Sequence, residues 1–76
     1  MKVQVNFFAS IRERIGKSQC EVDLKIDATV SDLLSDYIEK YELKNTLCSV
    51  NYEYTSLDHV LCDGDEVAFF PPVTGG

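Results

Sequence analysis

The sequence predicts an α+β fold, a small mixed sheet packed against one main helix. Three observations carry this: alternating runs near the start, one long helical stripe mid-chain, and an apolar run launched by a late turn. The first run, KVQVNFF at 2–8, puts Val3, Val5 and Phe7 on one face and Lys2, Gln4 and Asn6 on the other, the period of a half-buried strand. Phe8 falls on the polar phase. Ser10 and Glu13 have capping-box spacing, Ile11 and Ile15 lie one helical turn apart, and Gly16 supplies a left-handed stop, so a short helical turn is expected there. From 20 to 26 the alternation is strict, with Cys20, Val22, Leu24 and Ile26 inward and Glu21, Asp23 and Lys25 outward, which predicts a second strand. Thr29 and Asp32 repeat the capping spacing, and Val30, Leu33, Leu34, Tyr37, Ile38 and Tyr41 recur as one apolar stripe, which predicts the main helix over 30–41. Short strands are expected at 47–51 and 53–56. Asp63-Gly64-Asp65 then turns the chain into EVAFF, with Val67 and Phe69 in one phase and Glu66, Ala68 and Phe70 in the other.

A chain of 76 residues has room for one domain, and a large cleft would consume its core, so a self-contained enzyme is not expected. Thirteen acidic against seven basic residues give a net charge of -6, which repels nucleic-acid phosphates and anionic headgroups. Neither nucleic acid nor membrane is therefore expected as a partner; a basic protein surface is. The start of the chain lacks the continuous apolar core of a signal peptide, and no run reaches transmembrane length. Cys20, Cys48 and Cys62 are odd in number and widely spaced, a poor disulfide framework and unlike zinc or iron–sulfur ligand patterns, so free thiols, no metal site and a cytoplasmic location are expected. His59 stands alone and receives no role.

The segment PPVTGG resists assignment to the core, which divides the chain into a domain at 1–70 and an extended tail at 71–76. Pro71 and Pro72 lack backbone donors and favour an extended, stiff exit from the sheet. Six extended residues reach up to about 20 Å, enough to thread the end of the chain into a pocket on another protein. Gly75 and Gly76 carry no side chains, so that end passes a narrow channel and leaves its carboxylate sterically open. A carboxylate is a poor electrophile until its oxygen becomes a good leaving group. Adenylation by a separate ATP-using enzyme would achieve that, and a sulfur donor could then displace AMP.

In KVQVNFFASIRERIG, in TVSDLL and above all in LCDGDEVAFFPPVTGG, the sequence resembles the MoaD family, the small sulfur-carrying subunits of molybdopterin synthases within the β-grasp, ubiquitin-like superfamily. The resemblance implies a β-grasp fold and assigns Gly76 as the reactive residue. It implies that a ubiquitin-activating-type enzyme adenylates Gly76 with ATP and that the product becomes a thiocarboxylate. The tail Pro71, Pro72, Val73, Thr74 and Gly75 would carry that group into a large catalytic subunit, within a heterotetramer. The sulfur would convert cyclic pyranopterin monophosphate to the dithiolene of molybdopterin. No cofactor bound to this chain is implied.

Phe8 and Phe70 both occupy the polar phase of their strands, and in a β-grasp sheet the first and last strands are neighbours. Exposed aromatics beside the tail are expected to anchor the large subunit and the activating enzyme. The competing readings are a sulfur carrier for the thiazole of thiamine, a ubiquitin-like modifier joined through Gly76 to target lysines, and a binding module with an incidental tail.

Overall fold

In a computed structural model, residues 1–43 and 45–72 are described. The element order is β1 (Lys2–Phe7), α1 (Ala9–Ile15), β2 (Gln19–Asp23), α2 (Val30–Tyr41), β3 (Leu47–Val50), β4 (Glu53–Tyr54) and β5 (Glu66–Phe70). The five strands form one sheet in the order β2-β1-β5-β3-β4. β1 pairs antiparallel with β2 and parallel with β5, with Phe7 opposite Phe69; β3 pairs antiparallel with both β5 and β4. A hairpin, a crossing helix and a last strand returning to the centre of the sheet give the expected β-grasp layout.

The alternation reads out as burial. Val3, Val5 and Phe7 of β1, Val67 and Phe69 of β5, Cys48 and Val50 of β3, and Val30, Leu33 and Leu34 of α2 form the core with Ile11, Ile15, Leu43 and Leu61. The rings of Phe7, Phe69 and Tyr37 meet at 5.4–5.8 Å centroid separations, tying the two central strands to the helix. α2 starts with the expected reciprocal cap: Asp32 N–H donates to Thr29 Oγ1 at 3.2 Å and Thr29 N–H to Asp32 Oδ2 at 2.9 Å. Gly16 closes α1 at φ 87°, as the sequence suggests.

Several boundaries differ from the sequence expectation. α1 begins two residues earlier than the Ser10 cap requires: Phe8 holds the N-cap position without a side-chain bond, and its carbonyl accepts from Ile11 and Arg12. β2 ends at Asp23, and the chain then turns, with Ala28 N–H donating to the Lys25 carbonyl and Asp27 at φ 71°. That turn carries Ile26 away from the core, leaving it 81% exposed. Asn51 leaves the strand expected at 47–51 and joins Tyr52 in a two-residue turn with φ of 51° and 70°, the mirror-type turn whose twist suits a tight hairpin. β4 is correspondingly shorter than 53–56.

Candidate functional site

β5 runs through the middle of the sheet and leads directly to Pro71, which is half-buried, and Pro72, which is exposed. β5 ends at Phe70, and of the expected tail Val73, Thr74, Gly75 and Gly76 lie outside the described residues.

The parallel pairing of β1 with β5 places Phe7 beside Phe69 and so brings Phe8 and Phe70, one residue on, to the opposite face. Phe8 N–H donates to the Phe69 carbonyl at 3.1 Å, which holds the two strand ends together at the tail exit. Phe8 is 48% exposed and Phe70 half-buried, and both line one shallow outer-face groove with Tyr52 and Tyr54. The Tyr54 ring meets Phe70 edge-on at 5.7 Å. The two tyrosines are 84% and 73% exposed and were not singled out by the sequence reading. Their signal was the Asn51-Tyr52 turn, which folds β4 back beside β3 and swings both rings over the outer face.

Glu66 and Asn6 form the polar end of this groove. The Tyr52 hydroxyl, and then the Asn6 amide donating at 3.0 Å, hold the Glu66 carboxyl below the usual glutamate range. Asn51 secures the approach to β5: its side chain accepts from Glu66 N–H and donates to Asp65 Oδ1, each at 3.0 Å. Asp63 is fixed by Lys2 N–H at 2.7 Å and Asp65 by Cys62 N–H at 2.8 Å, so the Asp63-Gly64-Asp65 turn clasps the start of β1. Asp63 thus serves the backbone of β1 and Asp65 that of the turn itself.

The arrangement is an aromatic groove on the outer face beside the end of β5, and among the described residues no acid–base pair is aimed at a common point. Among the described residues no group of His, Cys, Asp and Glu could hold a metal. His59 is exposed. Burial pushes the Cys48 thiol up to about 11, which keeps it protonated and unreactive at neutral pH.

A model of the ThiS family matches residues 5–76. The chain belongs to the ThiS family. Among ThiS-family relatives, the molybdopterin synthase sulfur carrier subunit of Escherichia coli is 40% identical over 80 positions, covering 97% of this chain and 99% of the relative. Among solved structures, a putative molybdopterin converting factor subunit 1 from Pyrococcus furiosus superposes with a TM-score of 0.86 at 32% identity, covering 96% and 99% of the two chains. SAMP1 from Haloferax volcanii superposes at 0.83 and 28% identity over all of both chains. Among the described residues of this ThiS-family chain, no helix is long and apolar enough to cross a membrane.

Proposed function

We propose that this chain is the sulfur-carrier subunit of a molybdopterin synthase. Gly76 is adenylated when its carboxylate oxygen attacks the α-phosphorus of ATP and releases pyrophosphate. A sulfide-level donor then adds at the acyl carbon and expels AMP, leaving a thiocarboxylate. The tail from Pro71 to Gly75 carries that group into the pocket of a large catalytic subunit, where the sulfur is passed to cyclic pyranopterin monophosphate. The pterin chemistry belongs to the partner, and this chain supplies the sulfur and its delivery.

The observation that carries the reading is the placement of Phe8 and Phe70 in one aromatic groove beside the exit of β5, on a ThiS-family chain whose sequence continues PPVTGG. Rigid aromatic side chains partly exposed on a sheet are strong anchors for a protein partner. The names of the Escherichia coli and Pyrococcus furiosus proteins, each a subunit of a larger assembly, favour the same partner class. An activating enzyme of the ubiquitin-activating type fits the chemistry Gly76 requires, since a free carboxylate will not exchange oxygen for sulfur unaided.

Incubation with such an enzyme, ATP and a sulfur donor, followed by intact mass spectrometry, tests the loading step. The expected result is the mass gain of one oxygen replaced by sulfur, lost when Gly75 and Gly76 are deleted. Stable adducts on lysines of other proteins, with no sulfur exchange, would instead establish a modifier.

A further inference from the structure

The sheet order leaves β2 paired on one side only. Phe7 N–H bonds to the Ser18 carbonyl and Leu24 N–H to the Met1 carbonyl, both at 2.8 Å, which fixes the phase of the ladder. Cys20 and Val22 therefore direct their backbone groups toward β1, while Glu21 and Asp23 direct theirs to the open edge. An edge of this kind is a template for another strand. Beneath it the core is incompletely closed. Cys20 and Val22 of β2 and Tyr37 and Tyr41 of α2 pack on the core yet remain partly exposed, and they line a groove of about 260 Å³. That is below the roughly 300–1,000 Å³ of a small-molecule site, and the groove runs along a strand edge, so it suits side chains of an added strand better than a free ligand.

The groove is also electrically polarised. Lys17 and Lys40 line it at the end where β2 begins. Asp23, Asp27 and Asp32, against the single cation Lys25, line its continuation past the end of β2, with Asp36 common to both parts, so that end is acidic on balance.

We infer that an extended segment of a partner protein adds alongside β2 as a further strand. Its apolar phase fills the groove over Cys20, Val22, Tyr37 and Tyr41; an acidic residue meets Lys17 and Lys40 at one end, and a basic residue meets Asp27 and Asp32 at the other. A second copy of this chain is a poorer occupant. Antiparallel self-pairing centred on Glu21 sets that carboxylate against its own copy, between two chains each of net charge -6. The groove lies on the helix side of the sheet, so its occupation leaves the Phe8–Phe70 face free.

The probe is a synthetic peptide alternating valine and threonine, with glutamate at one end and lysine at the other, made in both directions and titrated into the isotope-labelled full chain. Saturable binding by at least one direction is expected, with amide shifts concentrated at 17–24 and 36–41. Glu21→Pro removes an edge donor but no bond to β1, and Lys40→Glu reverses one end of the groove; each should weaken binding about tenfold, with core amide shifts unchanged. N-methylation of the peptide's edge-facing amides should abolish binding even if Glu21→Pro fails to fold. The proposal is overturned by absence of saturable binding, by shifts centred on Phe8, Tyr54 and Phe70, by binding that survives N-methylation, or by a dimer formed through β2 without peptide.

Discussion

Glu66 shows how single side chains set the character of the outer face. Its carboxyl is held low by Tyr52 first and Asn6 second, and the Tyr52 phenol is raised by the same contact with Glu66. A carboxyl depressed in the folded state contributes stability that is fully present above its unfolded value and is lost as pH falls through the lower folded value. A raised phenol behaves oppositely, its contribution fading as pH climbs above the ordinary tyrosine range. Tyr52 is exposed and Glu66 only half-buried, so water screens the contact and its effect is confined to ordering Tyr52 over the groove. Tyr52→Phe should move the Glu66 titration midpoint upward in a carboxyl-detected NMR titration; an unmoved midpoint would remove Tyr52 as the cause. Tyr37 is raised for a different reason, chiefly burial, with the Cys20 thiol 3.3 Å from its hydroxyl adding to it. Cys20 shows what the sequence reveals at this scale. Its inward phase was legible, but its partial exposure depends on β2 being an edge strand, which alternation within one segment does not specify.

Among the elements, those with local signals were read correctly and those decided by neighbours were not. α2 spans the expected 30–41 because its cap, its stripe and its length agree. Ser10 and Glu13 carry the same capping pattern, yet pairing of Phe8 with Phe69 fixes the entry to α1 and puts Phe8 at the N-cap. The two caps therefore predict different outcomes. Thr29→Ala should cost about 1 kcal/mol in urea unfolding, whereas Ser10→Ala should stay within about 0.5 kcal/mol. Equal losses would contradict the assignment of the caps. β4 was hard to read because its turn, Asn51-Tyr52, lacks the glycine that usually marks a turn with positive φ at both positions. Its stability comes instead from the Asn51 bonds to Asp65 and Glu66, fourteen and fifteen residues away in sequence. Ile26 was misread for a related reason: strict alternation continues through a segment that turns out of the sheet.

Over the whole molecule, β5 separates two tasks between adjacent aromatic residues. Phe69 is fully buried between Phe7 and Tyr37, and Phe70 faces the outer groove beside Tyr54. Phe69→Ala should cost roughly 3–5 kcal/mol of stability. Phe70→Asp should leave most of the stability in place while weakening assembly with the large subunit by tenfold or more, measured by calorimetric titration. Unfolding of that variant would mean that Phe70 belongs to the core. The α+β class and the identity of the core strands were legible from alternation, the β-grasp layout from the resemblance and the Gly-Gly end from the sequence alone, whereas the tyrosine half of the aromatic groove required the hairpin to be seen. The proposed delivery of sulfur from Gly76 would unite these features, and a single-turnover assay tests it most directly. The chain is prepared with a Gly76 thiocarboxylate and mixed with a molybdopterin synthase large subunit and cyclic pyranopterin monophosphate, and its intact mass is followed alongside dithiolene formation. The account predicts return of Gly76 to the carboxylate mass in step with dithiolene formation; a chain that keeps its sulfur, or a product formed equally well by the unsulfurated chain, would contradict it.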